Sequence, residues 1–263
     1  MRLSFVIPAY NEAANIERCV AAIDAELRRR PLPAEIVVVD NASTDATADI
    51  ASRLPGVQVV REPRKGITFA RQAGLERSSG ELVANIDADT RLPAGWLDRV
   101  LAEFDRDPAL LCVSGPHVYD EAAWSVRVST RLFYIVAFAT YLAHRFLLRS
   151  GSMVQGGNFV CRRDALERIG GYDTSIQFYG EDTDIAQRLH ALGRVKFTLG
   201  LPIFASHRRL NGEGLVRTGI RYAVNYLWVA VLGRPFTLAS RDIRPPAGPA
   251  RPRGFWAELC GKR

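Results

Sequence analysis

Asp87 and Asp89 stand one small residue apart, with Ala88 between them, directly after the apolar run Leu82 to Ile86. Two carboxylates this close repel each other, and removing them from water is costly unless a positive group stands beside them. A divalent cation bridging phosphate oxygens and this pair would neutralise both. Hard oxygen ligands with retained waters suit magnesium or manganese. Asp-x-Asp alone is a weak signal, because solvated turns carry it too. Its place at the end of a buried strand strengthens it. Two further groups carry chemistry: the acids Glu181, Asp182 and Asp184, and an isolated His207. A carboxylate at a helix start is held in its charged form by the helix dipole, which suits a general base. Ordinary dipole complementation explains the same three acids, and a lone histidine is more often a surface or satisfied core residue than a ligand, although its place after the GED stretch brings the two readings level.

Strands must position these groups. Leu3–Ile7, Glu35–Val39, Val57–Val60, Leu82–Ile86 and Leu110–Ser114 are short apolar runs that read as buried strands. Helical spacing falls between them, at Ile16–Leu27, from Ser43 or Thr44 as a cap through Ile50, from Gly66 to Arg77, and from Pro93 to Phe104. Alternation of this kind predicts a mostly parallel sheet covered on both faces. Further on, 123–148 reads as one long helix, Phe159–Cys161 as a strand, Asp164–Ile169 as a short helix, Glu181–Leu192 as a helix and Arg194–Thr198 as a strand. Ligands of such sheets bind beyond the carboxyl ends of the strands. Three of those ends are polar: Pro8-Ala9-Tyr10-Asn11-Glu12, Asp40-Asn41-Ala42-Ser43 and Asp87-Ala88-Asp89. Together they describe a pocket, although Asp40 also suits a helix cap and Tyr10 suits core packing. A dehydrogenase is disfavoured, because the first strand-helix turn, PAYNEA, lacks the glycines that let a backbone reach a pyrophosphate.

The bulk composition agrees. The 263 residues are 48% hydrophobic with a net charge of +7, so a sizeable core forms and the partner is anionic. No zinc-finger spacing or RNA-binding signature occurs, which leaves nucleic acid out. Cys19, Cys112, Cys161 and Cys260 are scattered singly and read as free thiols of a reducing cytoplasm. The opening apolar run is too short for a signal peptide.

Five stretches in order, VIPAYNEAANIERCV, EIVVVDNASTDAT, KGITFARQAG, ANIDADT and GEDTDIAQRL, resemble the motif series of family 2 glycosyltransferases. The likeness runs from Leu3 to about His207, and RQAG stands where that family often has Arg-Asn-x-Gly. The resemblance implies a GT-A-type single α/β domain with a mostly parallel central sheet, helices on both faces and a largely helical C-terminal part. It implies inverting sugar transfer from a nucleoside-diphosphate sugar, UDP-sugar before GDP-mannose, with Mn2+ or Mg2+. By the same resemblance Pro8, Ala9, Tyr10 and Glu12 border the nucleoside. Asp40 hydrogen-bonds the base, with Ser43 nearby, and Gly66 and Arg71 line the nucleotide pocket. Asp87 faces the ribose, Ala88 follows it, and Asp89 ligates the metal with His207 as a further ligand. Asp182 is the base and Glu181 the next choice. Gly156, Gly157 and Asn158 help form the sugar and acceptor pocket, although a plain turn explains the two glycines as well. Arg208 and Arg209 read as a solvated pair sooner than as phosphate clamps.

A metal-stabilised leaving group needs no protonated acid, so one carboxylate suffices as base. Hydrolysis is disfavoured, because Asp87 and Asp89 are too near in sequence to flank a sugar. A nucleotidyltransferase and a non-catalytic nucleotide-sugar binder are the rival readings. Residues 1–240 form the expected domain, with 1–115 binding nucleotide and 116–240 shaping the sugar and acceptor side, and 241–263 is a basic Pro/Gly-rich tail. Leu132–Ala143 and Tyr222–Leu232 are apolar runs with basic rims, too short to span a bilayer. They fit interfacial helices, buried helices or a dimer contact. If they meet a membrane, the protein works at its inner face on a lipid-linked acceptor.

Overall fold

The computed structural model describes residues 2–143, 153–176 and 180–214. Its elements in chain order are β1 (Leu3–Ala9), α1 (Ile16–Arg29), β2 (Ala34–Asp40), α2 (Thr47–Arg53), β3 (Val57–Arg61), α3 (Ile67–Arg77), β4 (Leu82–Ile86) and β5 (Thr90–Arg91). They continue with α4 (Trp96–Arg106), β6 (Leu110–Ser114), β7 (His117–Val118), α5 (Trp124–Ala143), β8 (Asn158–Arg162), α6 (Arg163–Arg168), α7 (Glu181–Leu192), β9 (Arg194–Phe197), β10 (Ile203–Ala205) and α8 (Arg208–Glu213).

The main sheet has seven strands in the order β3-β2-β1-β4-β8-β6-β9. Neighbours are parallel except at β8, which runs antiparallel to both β4 and β6. The expected mostly parallel sheet is present, and the reversed strand matters most for the site. Because β8 runs backwards, its first residue, Asn158, lies opposite Ile86 at the carboxyl end of β4. A second sheet of three short strands, β5-β10-β7, has no counterpart in the sequence reading. Strands of two or three residues carry no periodic signal. This sheet pairs Ala205 with Thr90 and Ile203 with His117, and so brings the chain before His207 beside Asp89.

One apolar cluster fills the space beneath α1 and α4 and includes Phe5, Ile7, Ile23, Ile86 and Trp96. The other lies under α3, α6 and α7 and includes Val37, Val83, Phe159, Leu166 and Leu189. Two helix starts differ from expectation. Helix α2 begins at Thr47, where Asp45 Oδ1 accepts from Thr47 N–H at 3.0 Å, and neither Ser43 nor Thr44 caps it. Helix α4 begins at Trp96, because the buried Glu26 carboxylate of α1 accepts from Gly95 N–H at 3.0 Å and Leu97 N–H at 2.9 Å. A carboxylate from another helix thus satisfies two of the orphan donors there. The long helix expected over 123–148 is described as far as Ala143. Its last residues, the run Tyr222–Leu232 and the tail 241–263 lie outside the described residues.

Candidate active site

The candidate site lies on the sheet edge where β1, β2 and β4 end and β8 begins. Pro8 and Ala9 close β1, and Ala9 lies opposite Asp40. Asn41 N–H donates to the Ala9 carbonyl at 2.7 Å, which locks the two strand ends together. The loops beyond them interlock through side chains. Asn11 N–H donates to Ser43 Oγ at 3.0 Å, Thr44 N–H to Asn11 Oδ1 at 2.8 Å, and Glu12 N–H to Thr47 Oγ1 at 2.8 Å. Asn41 also binds the loop that leads to α3. Its amide donates to the Arg64 carbonyl at 2.7 Å and accepts from Gly66 N–H at 2.8 Å. Lys65 Nζ sits 3.8 Å from the centre of the Tyr10 ring. Asp40 is buried, and its Oδ1 has no hydrogen-bond partner among the described residues. The capping alternative for Asp40 falls away, since α2 starts only at Thr47.

The sequence asked what stands beside the two aspartates, and the structure answers with two arginines. Arg71 of α3 is completely buried. Its Nη2 lies 3.2 Å from Asp87 Oδ1, and its Nη1 contacts Glu181 Oε1. The guanidinium also rests 5.1 Å from the centre of the Phe159 ring. Burial works against the arginine's charge, and Glu181 and Asp87 more than offset it. Arg71 was expected to line the pocket, and it stands beneath it as a clamp. Arg208 at the start of α8 overturns the solvated-pair expectation for that residue. Its Nη1 lies 2.9 Å from Glu12 Oε2, and its Nη2 lies 3.0 Å from Asp89 Oδ2 and also contacts Glu12 Oε1. Glu12 is buried, so this pair is no surface decoration.

The loop before β8 passes between Asp87 and Asp182, and at Gly157 only a glycine permits that. A Cβ on Gly157, whose φ is +75°, would sit 2.2 Å from Asp87 Oδ2. One on Gly156 would meet Glu181 Oε1 at 3.0 Å and Asp182 Oδ2 at 3.6 Å. At Gly157 the plain-turn alternative therefore gives way to a close approach between backbone and carboxylate. Asp182 Oδ2 accepts from Gly156 N–H at 3.3 Å, and Oδ1 accepts from Thr183 N–H at 2.8 Å. Burial raises the Asp182 carboxyl above the ordinary aspartate range, against the pull of those donors and of Arg71. Glu181 is pushed up to about 7, chiefly by burial. A carboxylate made more basic in this way is better able to take a proton. Asn158 does not join the pocket lining. Its amide is committed to the core, accepting from Trp96 Nε1 at 3.2 Å and donating to the Leu201 carbonyl at 2.9 Å.

His117 entered no sequence reading, yet it belongs to this neighbourhood. Burial pushes its pKa down to about 4, while Asp87 and the Gly156 backbone pull the other way, so the ring is neutral at ordinary pH. A single histidine on a two-residue strand gives no sequence signal. The sequence allows Arg208 as a solvated residue or a phosphate clamp, and nothing local in it points to the pairing with Glu12 and Asp89.

Among the described residues, no group of three or more His, Cys, Asp or Glu could hold a metal ion unaided. The local chemistry still fits a divalent ion that arrives with a diphosphate. Ser206 N–H donates to the Asp89 carbonyl at 3.2 Å, which brings the next residue, His207, close to Asp89. His207 Nδ1 is buried and has no hydrogen-bond partner among the described residues. One carboxylate, one imidazole nitrogen and phosphate oxygens would make a reasonable set of ligands.

Comparison with known proteins gives one consistent result. The description of Glycosyl transferase family 2 matches residues 4–170. A relative from Mycobacterium tuberculosis, named an uncharacterised glycosyltransferase, is 34% identical over 176 residues, covering 65% of this chain and 72% of its own. The glucosyl-dolichyl phosphate glucuronosyltransferase of Haloferax volcanii is 22% identical over 185 residues, covering 69% of this chain and 59% of its own. Among solved structures, the mannosyltransferase PcManGT of Pyrobaculum calidifontis, in complex with GDP-Man and Mn2+, superposes with a TM-score of 0.59 at 25% identity. That match covers 82% of this chain and 62% of the mannosyltransferase.

Proposed function

This chain belongs to glycosyl transferase family 2 and has a GT-A fold, and from that membership we propose that it moves a sugar from a nucleoside-diphosphate donor to an acceptor hydroxyl with inversion. The observation that carries the reading is the gathering of Asp40, Asp87, Asp89 and Asp182 along one sheet edge, around a diglycine that leaves them room.

In this reading the nucleoside lies between the ends of β1 and β2. Asp40 has an oxygen to spare, which favours a base that presents an N–H donor. Uracil and guanine both do. UDP-sugar is the first choice, and GDP-mannose is the second because PcManGT was solved with GDP-Man. Asp89 and His207 would hold the divalent ion, which when bound would stabilise the charge growing on the leaving diphosphate. Asp182 takes the proton from the acceptor hydroxyl. The acceptor oxygen then bonds to the anomeric carbon from the face opposite the departing group, and the bond from that carbon to the diphosphate breaks. Arg71 holds Asp87 and Glu181 still beneath the reacting groups. The test is thermal stabilisation by UDP, GDP or dTDP, with and without Mn2+. UDP with Mn2+ should raise the melting temperature most, and Asp89→Ala should remove the part of the shift that depends on metal. A nucleotide shift indifferent both to Mn2+ and to Asp89 would sink the metal assignment.

The acceptor is read as lipid-linked, a reading supported by α5. Its inner face packs Tyr134, Phe138 and Tyr141 around Phe197, and Tyr134 Oη donates to Gln155 Oε1 at 2.9 Å, next to the diglycine. Its outer face exposes Trp124 by 76%, Leu132 by 58%, Ile135 by 50% and Val136 by 65%, with exposed Arg127 and Arg131 alongside. Among the described residues no helix is long and apolar enough to cross a membrane. An apolar stripe with an arginine rim suits contact with an anionic bilayer surface. The protein should float with anionic liposomes at low salt and detach at high salt. No flotation at low salt would remove the membrane reading and leave the transferase reading untouched.

A further inference from the structure

We propose that Arg208 is a built-in rival of the divalent ion for Asp89, holding that carboxylate until a donor diphosphate arrives and then turning to the diphosphate. The inference rests on the metal site proposed above and concerns what regulates its loading.

Three observations carry it. Arg208 Nη2 lies 3.0 Å from Asp89 Oδ2, on the carboxylate assigned to the metal, so guanidinium and ion draw on the same negative charge. The arginine has a second anchor in Glu12, where Nη1 lies 2.9 Å from Oε2. It therefore keeps a partner without help from Asp89, and leaving the buried Glu12 carboxylate unpaired would be costly. Finally, no cluster of three ligating side chains exists among the described residues to outbid it. An ion alone would meet one carboxylate already engaged with a guanidinium. An ion carried by a diphosphate brings its own oxygen ligands, and the diphosphate offers Arg208 new anionic partners in exchange. Loading is then ordered. Free metal is discouraged, and metal with nucleotide is favoured.

The test is Mn2+ binding, followed by the electron paramagnetic resonance signal of the free ion, in wild type, Arg208→Ala and Arg208→Lys, each with and without UDP. With Mn2+ alone, Arg208→Ala should bind about fivefold to tenfold tighter than wild type, the scale of losing one competing, partly buried ion pair. With UDP present the order should reverse, because the variant has lost a diphosphate partner. Arg208→Lys should fall between the two in both series. If Arg208→Ala unfolds, Arg208→Lys still has to show the gain with metal alone. A purely structural arginine would lower the melting temperature and leave Mn2+ affinity unchanged, and that result overturns the proposal. Mn2+ binding to wild type with UDP, combined with no gain in either variant on metal alone, overturns it too while sparing the metal site. No Mn2+ on any protein, with or without UDP, overturns the metal site and Arg208's role together.

Discussion

Replacing Asp182 by Asn is expected to lower kcat by about a thousandfold while donor affinity changes by less than about twofold, the pattern of a lost general base. Asn keeps the shape of the side chain and an oxygen for the Gly156 N–H, so the diglycine loop should hold, while the Thr183 N–H loses the acceptor that Asp182 Oδ1 gives it. What it lacks is the ability to take a proton. Wild-type kcat should rise with pH through an acid limb lying above the ordinary aspartate range, because burial raises the Asp182 carboxyl. That limb should vanish in Asp182→Asn. Glu181 and Asp182 are chain neighbours with mutual repulsion, so the limb belongs to the pair. Steady-state kinetics across pH, with calorimetry of UDP binding, checks all of this. Turnover that survives the substitution, or donor binding that collapses with it, would move the base elsewhere, with Glu181 the next choice. Glu181 is a weaker candidate because Arg71 already engages one of its oxygens.

The second large effect is on stability. Arg71→Met should destabilise the fold by about 3–5 kcal/mol at about pH 8, since removing one member of a buried ion cluster leaves its partners uncompensated. For a domain of this size that is a fall in melting temperature of about 10 °C. Asp87 and Glu181 lose their shared cation, and Phe159 loses the guanidinium over its ring. The loss should depend on pH, with a definite sign. Glu181 has a folded pKa of about 7, above its unfolded value. Its contribution is therefore full below the unfolded value and is lost as pH rises through about 7. Arg71 holds that pKa down. Without it the folded pKa climbs further, so the variant keeps losing stability above the pH at which wild type levels off. The deficit should accordingly be larger at about pH 8.5 than at about pH 5.5. Denaturant unfolding at both pH values measures it, and adding Glu181→Gln should restore part of the loss at the higher pH. A deficit independent of pH would mean that Arg71 acts through packing alone.

Much of the scaffold could be read locally. Leu3–Ile7, Glu35–Val39 and Leu82–Ile86 are apolar runs that end in polar residues, and each is a strand of the main sheet. The helix Glu181–Leu192 closes at Gly193, a residue that ends helices by its own chemistry. Burial of a continuous face leaves a mark on every residue of such elements, which is why they are legible. The three-stranded sheet left none. Its members are too short to alternate, and they exist only because distant segments meet. Helix α4 could not be placed to the residue, because its start is set by Glu26, a side chain of another helix.

The amino-acid order by itself determined the strand ends, the acids and glycines that sit on them, and the family they resemble. Each of those is a property of a short stretch. It did not determine which cation stands beside which carboxylate. Arg71 and Asp87 are brought together by α3 packing on the sheet, and Arg208 reaches Glu12 and Asp89 because β10 pairs with β5. Charge pairing between segments far apart in the chain is set by where the backbone travels, and in this protein that route depends on a reversed strand and a pair of very short ones.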